Sequence, residues 1–112
     1  MRTKIEEETF RKAFERNGEA HQLIVLFEEM SELQKEVCKA IRFNRRQLKE
    51  TITEEIADVE ICLEQLKLIM EIDDGEVEAW RLSKIVRLRE RLHLIPNFLP
   101  DPEPRGERGD RS

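Results

Sequence analysis

All four prolines of this 112-residue chain lie in its last 17 residues, and residues 1–95 contain only two glycines, Gly18 and Gly75. A proline inside a helix removes a backbone hydrogen bond and clashes with the preceding turn, so its absence permits long helices. Turn-rich β architectures are disfavoured, because their turns usually contain glycine or proline, and both are scarce here. The distribution predicts an all-α fold, with one helical domain over residues 1–95 and a disordered, proline-rich tail over residues 96–112.

Capping signals divide the helical part into four segments. Thr3 with Glu6, and Thr51 with Glu54, each fit the Thr-x-x-Glu capping box, and Asp73-Asp74-Gly75 is a break that offers an N-cap. We therefore expect helices near 3–16, 19–43, 51–72 and 75–93.

Apolar residues recur at helical spacing in the second and third segments. In the second they form one row that we expect to be its core face: Leu23, Leu26, Phe27, Met30, Leu33, Val37 and Ile41. The third carries a similar row: Ile52, Ile56, Val59, Leu63, Leu66 and Met70. Its opposite side is also apolar, with Ile61, Leu68 and Ile72. A helix with two apolar faces is usually buried on both, so we expect a bundle of about four helices completed by oligomerisation, as a dimer or tetramer, with this second face as the interface.

Charge and hydropathy exclude several classes of function. The formal net charge is −5, whereas proteins that bind duplex nucleic acid usually carry a basic excess. The longest stretches without Asp, Glu, Lys or Arg are much shorter than the roughly 20 apolar residues that span a bilayer, so we expect no membrane association. The first residues form no apolar leader, and Cys38 and Cys62 lack metal-ligand spacing, which favours a reducing, cytoplasmic location.

Two groups of acidic residues carry the most chemical information. Glu29 with Glu32, and Glu55 with Asp58, are spaced three apart, so each pair projects from one side of its helix. Carboxylates from two neighbouring helices, with no histidine or thiolate among them, would form an all-oxygen site suited to Mg²⁺, with Mn²⁺ as an alternative. Solvent-exposed acidic pairs without any ligand are the competing interpretation.

These residues resemble the MazG-like and dimeric-dUTPase superfamily of all-α nucleoside triphosphate pyrophosphohydrolases. That family carries Glu-Glu-x-x-Glu on one helix and Glu-x-x-Asp on the next. Here the two motifs are Glu28-Glu29-Met30-Ser31-Glu32 and Glu55-Ile56-Ala57-Asp58, separated by 22 residues. The resemblance is to the short, phage-type members and covers roughly residues 10 to 92.

The resemblance implies a reaction and a set of site residues. The implied ligands of Mg²⁺ are Glu29, Glu32, Glu55 and Asp58, with Glu28 as a supporting acid. The implied reaction hydrolyses a nucleoside triphosphate between its α- and β-phosphates, giving a nucleoside monophosphate and pyrophosphate, in a role such as nucleotide clearance. Phosphoribosyl-ATP pyrophosphatase activity is an alternative within the superfamily, and a non-enzymatic helical interaction module is the alternative outside it.

The sequence indicates the substrate contacts less specifically than it indicates the metal ligands. In the fourth segment Trp80, Lys84, Arg87 and Arg91 fall within about 60° of one another and could hold pyrophosphate oxygens. Lys35, Lys39 and Arg42 in the second segment are equal rivals for this role. Either set could instead be a solvated basic face. Trp80 could stack on a base or pack in the core, and His21 could contact a base edge or pack.

Overall fold

A computed structural model describes residues 1–94 of the chain. The helices in this part are α1 (Lys4–Asn17), α2 (Glu19–Arg42), α3 (Arg45–Met70) and α4 (Asp74–Arg91). Residues 1–94 contain no β-strand, which confirms the all-α prediction for this part. The predicted tail, residues 96–112, lies outside the described residues.

The chain divides into two compact units, Met1–Ile72 and the part that begins at Asp73. In the first unit α2 and α3 form the main contact, and α1 makes a smaller contact with α2. Only Phe43 and Asn44 connect α2 to α3, so these helices form an antiparallel hairpin. In the second unit α4 has no buried residue. A single domain over residues 1–95 stays a prediction.

The start of α1 matches the sequence-based expectation. The Thr3 hydroxyl accepts a hydrogen bond from the Glu6 backbone N–H at 3.1 Å, and the Glu6 carboxylate accepts one from the Thr3 N–H at 2.7 Å. This capping box satisfies two backbone donors at the helix start. Gly18 separates α1 from α2 with φ of 90°, a conformation that a residue without Cβ adopts readily.

The predicted start of α3 at Thr51 is wrong, because the helix begins six residues earlier, at Arg45. The Asn44 side chain accepts a hydrogen bond from the Arg46 N–H at 2.9 Å and is the N-cap. Asn is a stronger cap than Thr, and the earlier start gives α3 more length to pack against α2. The predicted break after α3 is present, and the Glu76 carboxylate accepts the Asp73 N–H at 3.3 Å.

The α2–α3 interface is unusually polar. Its buried residues include the apolar Leu26 and Cys62 but also Glu36 and Gln65, each of which is 7% exposed. Gln22 Nε2 donates a hydrogen bond to Gln65 Oε1 at 2.7 Å across the two helices. Buried amide groups are tolerated when they are paired in this way.

The predicted core faces of α2 and α3 are only partly buried within one chain: Leu26 is buried, but several other members of the two rows are exposed. Phe27 and Ile41 are 66% and 71% exposed, and Met70 is 60% exposed. At about 100° per residue, the exposed row lies roughly a quarter turn from the interface side on α2 and roughly a third of a turn from it on α3, and in an antiparallel pair both rows turn toward the same side. We call this surface the outer apolar face; it consists of Phe27, Met30, Val37 and Ile41 on α2 and Ile56, Leu63 and Met70 on α3.

The second apolar face of α3 is partly covered within the chain. Leu68 and Ile72 are half-buried, while Ile61 is exposed. On this side Arg2, which precedes α1, forms an ion pair with Glu64 at 2.8 Å. The longer α3 row is likewise only partly covered, since Ile52, Val59 and Leu66 are half-buried while Ile56, Leu63 and Met70 are exposed. Oligomerisation itself stays a prediction.

None of the helices in residues 1–94 combines the length and the apolar character that a membrane crossing requires.

Candidate metal centre

Three of the predicted carboxylates meet at the α2–α3 interface. Glu29 comes from α2, and Glu55 and Asp58 come from α3, one turn apart. One carboxylate oxygen from each lies within 4.8 Å of the other two. We call these three residues the acidic cluster. Because the hairpin places the middle of α2 opposite the first half of α3, residues 26 positions apart in sequence become neighbours.

The acidic cluster is partly shielded from water. All three side chains are half-buried, and Glu55 Oε2 is a buried oxygen without a hydrogen-bond partner. A buried, unpaired carboxylate oxygen costs free energy unless a proton or a cation compensates it. The unpaired oxygen is therefore the feature of this cluster that fits a bound cation best.

The shared negative charge perturbs two of the acids. Shielding from water raises the pKa of Glu29, the charges of Asp58 and Glu55 raise it further, and a protonated Glu29 is also favoured by a hydrogen bond to Asp58. The pKa of Glu55 is raised by shielding from water and then by the charges of Asp58 and Glu32. Both carboxyls therefore hold a proton more readily than an isolated glutamate does.

Cys62 borders the acidic cluster, one turn beyond Asp58 on α3. Its side chain is buried, and burial together with the charges of Glu29 and Asp58 raises the pKa of the thiol. A thiol with a raised pKa is a poor nucleophile and a poor metal ligand near neutral pH, because only the thiolate performs these roles. The candidate donor atoms are thus carboxylate oxygens.

The two other predicted acids lie outside this group of three. Glu32 is exposed, although its charge contributes to the raised pKa of both Glu29 and Glu55, so it lies near them. Glu28 is also exposed. Glu32 as a ligand and Glu28 as a supporting acid stay predictions.

The predicted cations on α2 differ in their surroundings. Lys39 is half-buried and its Nζ lies 3.0 Å from Glu36 Oε2. Lys35 is exposed, and so is His21, which excludes a packed core position for that histidine within the chain.

The predicted contacts on α4 belong to the second unit. Lys84 Nζ lies 5.7 Å from the centroid of the Trp80 ring, a distance that allows a cation–π interaction. Trp80 is exposed, so it is not a core residue of the chain. Arg87 is exposed and Arg91 is half-buried. Their role in holding phosphate stays a prediction.

Sequence analysis missed Glu36. This residue is buried in the α2–α3 interface, and its charge contributes to the raised pKa of Glu55. The signal was its spacing of seven residues from Glu29, which places both acids on the same side of α2.

We compared the chain with protein-family models, curated proteins and solved structures, and no match was found among any of them.

Proposed function

We propose that this chain is a magnesium-dependent pyrophosphohydrolase that converts a nucleoside triphosphate into a nucleoside monophosphate and pyrophosphate. The observation that carries the proposal is the acidic cluster, in which three carboxylates from two helices converge and one buried oxygen has no partner. The paired motifs Glu28 to Glu32 and Glu55 to Asp58 agree with it, since they resemble those of a family with this activity.

The donor set fits a hard divalent cation. Mg²⁺ and Mn²⁺ prefer carboxylate oxygens, whereas zinc would favour histidine or thiolate ligands. Glu29, Glu55 and Asp58 would hold the ion, with Glu32 as a further candidate ligand. A bound ion of this kind neutralises phosphate oxygens and lowers the pKa of a coordinated water.

The chain's own residues would prepare this site before substrate arrives. The hairpin holds carboxylates from both helices in one place, and partial burial strengthens their attraction for a cation. Lysines on the same side of α2 as Glu32 would contact the phosphate groups, since ammonium groups are donors suited to phosphate.

We also propose that the chain works as a homo-oligomer, because the outer apolar face leaves large side chains such as Phe27 and Ile41 exposed in a single chain. Contiguous apolar patches of this kind typically mark protein interfaces. The same surface would suit a non-enzymatic interaction module, so catalysis has to be tested directly.

The decisive experiment is a nucleotide panel, including phosphoribosyl-ATP, in which pyrophosphate release is followed with magnesium, with manganese and with chelator. We expect metal-dependent release from at least one nucleoside triphosphate. Glu29→Gln, Glu55→Gln and Asp58→Asn should each lower kcat by about two orders of magnitude or more, because each removes a ligand charge with little change in volume.

Glu60→Gln is the matched control, since Glu60 is an exposed acid on the same helix, and it should keep wild-type activity. Glu32→Gln tests the fourth ligand, and a loss as large as that of Glu55→Gln would assign it to the ion. Cleavage of phosphoribosyl-ATP alone would support the alternative activity. Absence of pyrophosphate release from every compound would refute the enzymatic proposal.

A further inference from the structure

Glu36 is a charged residue at a position where an apolar one would be expected. It lies in the α2–α3 interface and its side chain is 9% exposed. Leu33 lies one turn before it, and Leu26 nearly three turns before it, on the same side of α2. Removing a carboxylate from water is costly unless a partner compensates it, and the partner here is Lys39, with Nζ at 3.0 Å from Oε2.

The fold alone gives no reason for this pair. Replacing a buried ion pair with apolar side chains of similar size is often neutral or stabilising. A leucine or methionine at position 36 would therefore pack at least as well against α3. The presence of a carboxylate at position 36 is better explained by its effect on Lys39.

The pair leaves Lys39 able to bind a second group. The Lys39 side chain is 42% exposed, and its ammonium has three N–H donors, of which the bond to Glu36 uses one. A flexible lysine normally loses much side-chain freedom when it binds a ligand, and an anchoring carboxylate reduces that loss. The remaining donors can meet an anionic oxygen.

Lys39 is also connected to the acidic cluster. It is held by Glu36, which lies two helical turns beyond Glu29 on the same side of α2 and is buried in the α2–α3 interface, where its charge acts on Glu55. Lys35, the other predicted cation on this stretch of α2, is exposed. A triphosphate bound through a metal at the acidic cluster would meet Lys39 by extending along α2 toward its C-terminus.

We propose that Glu36 is a positioning residue: its buried carboxylate holds the Lys39 ammonium on the stretch of α2 that follows Glu29 of the acidic cluster, and Lys39 binds a phosphate group of the nucleotide. This inference rests on the proposed function and assigns the phosphate contact to α2.

The test uses steady-state kinetics on the full chain with Lys39→Gln, Lys39→Arg and Glu36→Met. Loss of one charge-assisted hydrogen bond should raise KM for the nucleotide about tenfold or more in Lys39→Gln. Lys39→Arg should retain most of the affinity. Glu36→Met should raise KM several-fold, while its melting temperature stays equal to or above that of the wild type. The magnesium concentration for half-maximal activity should not change in these variants.

The matched control is the Glu8–Lys12 pair on α1, whose charged atoms are 3.2 Å apart and whose side chains are exposed. Glu8→Met and Lys12→Gln should leave KM unchanged. A lower melting temperature for Glu36→Met with no specific rise in KM would show a structural role and overturn the positioning role.

Calorimetric binding of tripolyphosphate with magnesium separates this proposal from the proposed function. If the wild type releases pyrophosphate but the Lys39 and Glu36 variants behave like the controls, the positioning role is wrong and the enzymatic one stands. If no nucleotide is cleaved but tripolyphosphate binds and Lys39→Gln abolishes binding, the enzymatic proposal fails and the anion contact stands. If the wild type neither cleaves nor binds, both are overturned.

Discussion

The folded chain disfavours the charged forms of two residues of the acidic cluster, Glu29 and Glu55. Their charges repel one another across the α2–α3 interface, and partial burial limits screening by water. Binding of a cation to the folded cluster, and hardly to the unfolded chain, would convert this unfavourable arrangement into a stabilising one.

Glu55→Gln should therefore stabilise the metal-free protein and remove most of its response to magnesium. For the wild type, magnesium at a hundredfold excess over Kd should contribute about 2.7 kcal/mol. For a domain near 100 residues this corresponds to roughly ten degrees or more in Tm. Melting curves with chelator and with magnesium measure both effects. Equal responses in wild type and variant would argue against a metal centre.

The raised pKa values of Glu29 and Glu55 predict a pH dependence in chelator. Each group binds its proton more tightly in the folded protein than in the unfolded chain, where the usual value is 4.5. Their contribution to stability is complete below that value and is lost as the pH rises through the raised folded pKa. The advantage of Glu55→Gln over wild type in urea unfolding should thus grow with pH above 4.5. An advantage independent of pH would contradict the assigned electrostatics.

At the scale of the site, sequence reasoning placed Glu29, Glu55 and Asp58 together because helical spacing and a hairpin suffice to do so. It included Glu32, which is exposed, and missed Glu36, which is buried. The rotation of α2 about its own axis determines which of these two residues faces α3. That rotation depends on how α2 packs against α3 and not on the sequence of α2 alone.

Among the elements, the start of α3 offers a direct comparison of two candidate caps. Asn44→Ala should cost about 1 kcal/mol of stability, because its side chain accepts the Arg46 N–H. Thr51→Ala should be neutral or slightly stabilising, since Thr51 lies inside α3 and alanine favours helix. Urea unfolding measures the stability of both variants. A larger loss of stability in Thr51→Ala than in Asn44→Ala would support a helix start at Thr51.

The two Thr-x-x-Glu motifs show why helix starts are hard to predict. Thr3 and Thr51 have the same local pattern, yet only Thr3 begins a helix. The Thr-x-x-Glu pattern shows only that a threonine could serve as an N-cap. Whether a helix begins there depends on whether the helix can extend further upstream. Asn44 caps the longer helix, and contact with α2 stabilises it.

For the whole molecule, the exposure of the outer apolar face predicts assembly through that face. Leu63 and Ile61 provide a matched pair, since both are on α3 and are 42% and 47% exposed, but only Leu63 belongs to the outer apolar face. We expect a dimer or larger species at micromolar concentration, which Leu63→Glu dissociates and Ile61→Glu does not. Analytical ultracentrifugation measures this.

A compact wild-type monomer would refute assembly. Dissociation by Ile61→Glu but not by Leu63→Glu would instead support the face that the sequence had suggested. Sequence periodicity identified both apolar rows of α3 correctly. It could not predict which members of these rows are exposed, because the hairpin buries a polar residue from each helix, Glu36 of α2 and Gln65 of α3, which no rule based on hydrophobicity would choose.

The hydrogen bond between Gln22 and Gln65 has a consequence for the kinetics of ion capture. It lies about two helical turns from Glu29, while the two-residue connection at Phe43 and Asn44 closes the other end of the hairpin. Sliding of one helix along the other would break the amide pair at one end and strain the connection at the other. The carboxylates are thus preorganised, and a magnesium ion, if the acidic cluster binds one as proposed, would need no chain ordering before it binds. The rate of its capture would then be set by how quickly the ion gives up its own tightly held water.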